Sequence, residues 1–303
     1  MERKNILTGP GALSYGGVVI HDADGITVNI DSATQDIPSS VSGKLDTIKT
    51  DQRGVVTLTP GGVISQPILD ILYPHQAPAI GSRVCGAADT PLTVHGTDGK
   101  KVTLLNAALT KIPDLRLSAV KTAFGQAEFT ALVADNKRPD APDAFCKVAE
   151  EAYAAGYPDP NAITGTAYTA AFGSLTLPDT VDGWTVTFEL GLEPVPADDV
   201  GTVDMLLTDV TVRASCTPLG KGLGEILAAL PVSKGRGAST RTGGDLVITG
   251  QGGGLEVTLH NAALVTGPLQ WGSTQLRFGQ LGFVAHRRVS DGRLYSVELG
   301  VSN

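Results

Sequence analysis

The chain repeats itself. Residues 102–109 read Val-Thr-Leu-Leu-Asn-Ala-Ala-Leu, and residues 257–264 read Val-Thr-Leu-His-Asn-Ala-Ala-Leu. Two longer echoes surround this octet, Leu92 to Val133 and Leu246 to Arg287. Asn106 and Asn261 stand 155 residues apart, and Phe124-Gly125-Gln126 and Phe278-Gly279-Gln280 stand 154 apart. Upstream, Asp24-Gly25-Ile26-Thr27-Val28 matches Asp182-Gly183-Trp184-Thr185-Val186 at 158, as do Thr59-Pro60 with Thr217-Pro218 and Ile68-Leu69 with Ile226-Leu227. Chance likeness between β-rich segments does not hold register in this way, so the chain reads as a duplication. That restricts the fold strongly: one architecture must serve both copies, and each copy is domain-sized rather than a short solenoid unit.

A length of 303 residues accommodates two such units. They are placed at 1–137 and 161–303, with a linker at 138–160. Hydrophobic residues make up 42% and charged residues 18%, as in a folded chain with a core. No apolar run is long enough to span a bilayer, and Met1-Glu2-Arg3-Lys4-Asn5 leads into Gly and Pro rather than a secretory h-region, so no membrane partner is expected. Cys85, Cys146 and Cys216 form no C-x-x-C pair and read as buried or inert thiols.

Each copy reads mostly as strands. Gly25 to Ile30, Thr50 to Leu58, Leu92 to His95, Lys101 to Leu109 and Phe124 to Val133 are rich in Ile, Val and Thr with partial alternation. Asp98-Gly99 signals a hairpin, and Gln251-Gly252-Gly253-Gly254 takes its place in the second copy. A short helix is expected over Val63 to Tyr73, stopped by Pro74, and another over Leu223 to Leu230, stopped by Pro231. The fold class is therefore mainly β (α+β): tandem duplicated β-sandwiches, each with one flanking helix and a long inter-strand arm. In the linker, Asp143 is placed to cap a helix through Phe145, Val148, Ala149, Ala152 and Tyr153, with no counterpart in the second copy.

The arms are the polar stretches Asp31 to Ile48 and Glu189 to Val203, read as loops that have kept their length. Loops this long in a compact domain are usually functional or disordered. The second carries Glu189, Glu193, Asp198, Asp199 and Asp204 against no Lys or Arg as far as Asp204. It reads either as a solvated loop, or as an acidic element meeting a basic patch on a neighbour or facing a channel. The residues expected at subunit contacts are Asp31, Asp36, Asp46, Glu193, Asp198, Asp199 and Asp204.

The search for chemistry finds little. His21, His75, His95, His260 and His286 form no metal spacing, and His260, standing where the first copy has Leu105, reads as a tolerant, partly exposed position. Gly220-Lys221-Gly222-Leu223-Gly224 lacks the phosphate-loop spacing and reads as a turn entering a helix. There is no G-x-S-x-G elbow and no carboxylate pair within an apolar segment. No catalytic residue, cofactor or metal is expected. A net charge of −8 argues against a surface that grips nucleic acid by its phosphates, though not against one past which DNA slides.

The order of features is a hairpin with a long arm, Thr-Pro, an Ile-Leu helix, a hairpin ending Asn-Ala-Ala-Leu, a Phe-Gly-Gln strand and a terminal Asp-Gly-Arg-Leu-Tyr-Ser turn. It resembles the tail tube (major tail) proteins of long-tailed, non-contractile bacteriophages, twice over nearly the whole chain. The resemblance implies a two-sheet sandwich with a flanking helix. It implies rings whose inner strands join around an acidic DNA channel, with arms bridging subunits. Most such proteins carry one domain and form hexameric rings, so a doubled chain implies trimeric, pseudo-sixfold rings stacked into a tube. Implied partners are further copies of the chain, a terminator, a tape measure and a distal tail protein, with DNA passing transiently. The implied location is the virion, assembled in the host bacterial cytoplasm. The alternatives are another ring of the same lineage (terminator, distal tail or secretion tube) and a two-domain carbohydrate- or protein-binding sandwich. The last needs exposed aromatics, for which Trp184 and Trp271 are the candidates.

Overall fold

The computed structural model describes residues 11–61, 64–85, 90–133, 146–151, 166–197, 201–219, 224, 226, 244–252, 254–267, 269–271 and 276–300. They form antiparallel strands and one short helix. In the first half the strands are β1 Gly11–Tyr15, β2 Val18–Asp22, β3 Thr27–Ser39, β4 Gly43–Leu58 and β5 Pro60–Gly61. Helix α1, Gln66–Leu72, follows. Then come β6 Leu92–Gly96, β7 Lys100–Leu104, β8 Ala107–Lys111, β9 Leu115–Leu117, β10 Thr122–Phe124, β11 Ala127–Leu132 and β12 Cys146–Glu150. The second half supplies β13 Tyr168–Phe172, β14 Leu175–Leu177, β15 Thr180–Ala197, β16 Gly201–Pro218 and β17 Gly244–Gly250. It ends with β18 Leu255–Thr266, β19 Leu269–Trp271, β20 Leu276–Phe278, β21 Leu281–Val284 and β22 Tyr295–Leu299.

Strand order is the same in both halves. One layer runs β12-β7-β6-β1-β2 in the first half and β22-β18-β17-β13-β14 in the second. The facing layer runs β3-β4-β11-β8 and β15-β16-β21-β18. Alternation buries one side of each strand: Val56 and Leu58 on β4, and Val212, Ala214 and Cys216 on β16, point inward while their neighbours do not. Aromatic pairs staple the layers. Tyr15 on β1 meets Phe129 on β11 at 5.1 Å between ring centroids, and Phe172 on β13 meets Phe283 on β21 at 5.4 Å. Full burial of such a side chain contributes roughly 1.5–3 kcal/mol.

The repeated octet has a definite job. Up to Leu104 it belongs to one layer, pairing with β6 and β12; from Ala107 it belongs to the other, pairing with β11. The chain turns between the layers at Leu105-Asn106. In the second half β18 makes the same passage without a break, and Asn261 absorbs it at φ 43°. Asn tolerates this left-handed region better than most other side chains, which accounts for Asn at position 261; Asn106 does not adopt it. His260 beside it corrects the expectation of a tolerant, exposed position. It is buried at the corner, with Nδ1 3.0 Å from Asp245 Oδ2. Burial alone would raise the Asp245 carboxyl, but hydrogen bonds from His260 and the Asn261 amide hold it below its usual range.

Two further expectations are corrected. Helix α1 is shorter than Val63–Tyr73, starting at Gln66 after Ser65, with Pro67 in its first turn. The linker helix is not formed at Val148 and Ala149, which lie instead on strand β12 against β7. Lys100 pairs with Glu150, and Lys101 Nζ lies 2.7 Å from Glu151. A strand that completes a sheet satisfies its backbone along the whole edge, and that outweighs helix propensity here. Asp143, Phe145, Ala152 and Tyr153 lie outside the described residues. β12 does have a counterpart: Val148 faces Val102, and Val297 on β22 faces Val257, the repeat of Val102. Of the expected second helix, Gly224 and Ile226 are helical; the remainder and the Gly220–Leu223 turn lie outside the described residues.

Candidate subunit interface

The arms are not loops. Strands β3 and β4 pair continuously from Thr27↔Thr57 to Ser39↔Gly43, and β15 and β16 pair out to Ala197↔Gly201. Each arm is thus the far end of a long hairpin. The polar composition that suggested a loop is that of a two-stranded ribbon with no sheet over it. Both ribbons carry register irregularities at matching places: Ala33/Thr34 and Ile37/Pro38 in the first, Gly191/Leu192 and Val195/Pro196 in the second. Both resume after the tip on a glycine at positive φ, Gly43 at 76° and Gly201 at 80°, where a side chain would be strained.

The expected contact residues divide sharply. Asp31 lies half-buried on β3 opposite Arg53 and accepts from Asn29 Nδ2 at 3.1 Å. Asp36 is exposed, with Lys44 Nζ at 2.6 Å and Thr47 Oγ1 donating at 3.0 Å. Asp46 is exposed and accepts from the Thr47 amide. Glu193 is exposed on β15. Asp198 and Asp199 lie outside the described residues. Asp204 alone is enclosed, at 1% exposure. It accepts from the amides of Cys85 at 3.0 Å and Met205 at 2.7 Å, with Arg83 Nε at 3.7 Å.

What encloses Asp204 is the other half of the molecule. Residues 81–85, beyond α1, run along β16 like an added strand. The amides of Gly81 and Val84 donate to the carbonyls of Leu207 and Met205, each at 2.8 Å, and Leu207 donates to Ser82 at 3.0 Å. On the opposite edge of the same hairpin, β9 pairs with β15 in the register Leu117↔Trp184, Arg116↔Thr185 and Leu115↔Val186. The first half therefore holds the second-half hairpin along both edges. Through β9 and β10 its strands continue into a ten-stranded sheet.

Apolar packing follows the same seam. Phe188 on β15 is buried between Tyr73 at the end of α1, 5.0 Å away, and Tyr295 on β22, 5.1 Å away. The Phe188 amide donates to Asp114 Oδ1 at 3.2 Å. Beyond α1, the Gln76 carbonyl accepts from the Leu294 amide at 2.7 Å and the Pro78 carbonyl from Arg287 at 2.9 Å; within α1, Gln66 Oε1 accepts from the Leu299 amide at 3.1 Å. Burial holds the Tyr73 and Tyr295 phenols above their usual range and His75 below its own, so all three sit uncharged at the seam. The thiols are quiet: Cys85 and Cys216 are buried, and burial pushes Cys216 up to about 12. Trp184 is buried at 2% exposure against Phe283, so it offers no ring to a sugar.

No metal-ligand cluster occurs among the described residues, and none of their helices is long and apolar enough to cross a membrane. No family model matches the chain, and no curated protein matches it.

The contacts across the seam lay beyond sequence reasoning, with one exception. Asp204, one of the seven expected contact residues, lies on it. A signal that could have found the seam is the pair of short alternating segments Leu115-Arg116-Leu117 and Leu269-Gln270-Trp271, which follow Pro113 and Pro268 after the octet strands.

Proposed function

We propose that the chain is a duplicated, self-assembling structural subunit of a phage tail tube, built from two tandem sandwich domains. Three such chains form a ring with pseudo-sixfold symmetry, and rings stack around a channel for DNA. The observation that carries this reading is the edge-to-edge seam. Two like halves are joined by strand β9 on strand β15, in addition to side-chain packing. A sheet that recruits a strand from an equivalent unit can go on doing so, and closure of such head-to-tail contacts makes a ring. Closure also removes the open strand edges that otherwise invite aggregation. The resemblance of the sequence to tail tube proteins, the long paired arms and the net charge of −8 support the same reading. An acidic lumen repels the DNA backbone, so the strand slides rather than sticks.

On this reading the arms reach neighbouring copies, and terminator, tape-measure and distal tail proteins meet the tube at its ends and lumen. The decisive measurement is electron microscopy of the purified chain over a range of concentration and salt. Rings or tubes with threefold or pseudo-sixfold symmetry are expected. A chain that stays monomeric under every condition refutes the proposal.

A further inference from the structure

The two halves are alike in strand order but not in exposure. At several places where the first half covers the second, the matching surface of the first half is exposed, while Ile26 and Val28, which match Trp184 and Val186, are partly buried. Phe188 is 5% exposed and its counterpart Ile30, 158 residues earlier, is 45% exposed. Val203 is 8% exposed and Leu45, at the same offset, 62%. Val297 on β22 is fully buried, and Val148 at the matching place on β12 is 70% exposed. Ile37, Ile48 and Val41 are further exposed apolar side chains on the first arm. A polar counterpart follows the rule too: Asp204 is enclosed, and Asp46, 158 residues earlier, is exposed. The sequence repeats the ion pair at that offset, with Arg241 for Arg83, although Arg241 lies outside the described residues.

The strand edges show the converse vacancy. Hairpin β9–β10 is used, since β9 lies on β15. Its counterpart β19–β20, offset by 154 residues at every boundary, is a two-stranded sheet joined to no other strand among the described residues. The edge that matches β15 is β3, and among the described residues β3 pairs with β4 alone.

From this we infer that the seam inside one chain is the template for the seam between chains. The second half of one copy clasps the first-arm hairpin of the next copy as the first half clasps the second arm. Strand β19 adds to β3 in the register carried over from the internal seam: Trp271 against Ile26, Gln270 against Thr27 and Leu269 against Val28. The occupant of this exposed surface is a second copy of this chain. No other partner so readily supplies an unpaired hairpin at the right offset while needing the edge that the first copy leaves open. This rests on the reading of the chain as a self-assembling subunit and adds the contact by which it assembles.

Opposed residues on neighbouring antiparallel strands have Cα atoms about 4.5–5.5 Å apart, within reach of a disulfide. The test is the double variant Thr27→Cys with Gln270→Cys, oxidised under assembly conditions and run on non-reducing gels. Covalent dimers and higher multiples are expected, absent from either single variant and from the unaltered chain. The matching internal pair, Arg116→Cys with Thr185→Cys, should give a link within one chain and no multiples. Hydrogen exchange of the unaltered chain is independent of whether a variant folds. Amides of residues 26–30 and 269–271 should exchange at least about tenfold more slowly in assemblies than in single chains. Rings or tubes that form without the 27–270 link, and without that protection, overturn the seam and leave the tube reading standing. Failure of the unaltered chain to assemble at all overturns both.

Discussion

Asp46 and Asp204 are the same residue type at the same offset, yet their surroundings give them opposite roles. Asp204 accepts two amide hydrogen bonds at under 2% exposure, with Arg83 beside it. Asp204→Ala leaves the buried Cys85 amide without its acceptor, and stranding a buried donor costs about 1–3 kcal/mol. That loss should appear in denaturant unfolding of single chains. Asp46→Ala removes an exposed carboxylate and should change single-chain stability by less than about 0.5 kcal/mol, while sedimentation shows assembly weakened. If both variants are equally stable, Asp204 does not hold the seam. If Asp46→Ala assembles normally, the exposed Asp has no such partner.

At the scale of elements, the arms and the linker carry one lesson. Both are polar or of mixed propensity, and both become strands because a neighbour accepts their backbone hydrogen bonds. The ribbon of β3 and β4 beyond Asp31 leaves Ile37, Val41, Leu45 and Ile48 exposed, and on the proposed reading their burial contributes to assembly. Replacing Asp31–Ile48 with a two-residue turn should therefore leave a folded chain, with near-native circular dichroism, that forms no rings in the microscope. Normal tubes from that variant would remove the arm from the assembly mechanism. Gly43 and Gly201 stand 158 residues apart at the start of the returning strands, each at positive φ where a side chain would be strained.

For the whole molecule, the core does not stop between the two halves. One apolar cluster contains Leu13, Leu69 and Tyr73 of the first half together with Phe188, Leu259 and Tyr295 of the second. The chain should therefore unfold in one calorimetric transition rather than two. His75 ties that transition to pH. Burial lowers its pKa in the folded chain, so the unfolded chain binds a proton that the folded chain refuses. Its contribution is present above about pH 6.5, the ordinary value of an unfolded histidine, and is lost as pH falls from there through the lowered folded value. The melting temperature should drop between pH 7 and 5, and His75→Gln should drop less steeply. Two resolved transitions, or an unchanged slope in the variant, would count against a shared, uncharged seam.

Much of this was legible in the residues. Alternating Ile, Val and Thr mark the strands, Asp98-Gly99 marks a hairpin, and the repeat at a near-constant offset matches the strand order later seen twice. These are local signals, since period and turn chemistry act within a few residues. The same signals failed where a distant partner decides. Val148 and Ala149 fit a helix by spacing and form a strand because β7 has an open edge. His260 looked exposed by substitution and is buried at the corner where the chain changes layers. The sequence by itself determined that long stretches recur at a near-constant offset, and roughly which segments are extended. Only the tertiary structure decided that one half clasps the other, that Asp204 is enclosed while Asp46 is bare, and that β19–β20 joins no other strand among the described residues. Exposure and strand pairing depend on residues more than a hundred positions away, and no local pattern encodes which of two identical edges will be covered first.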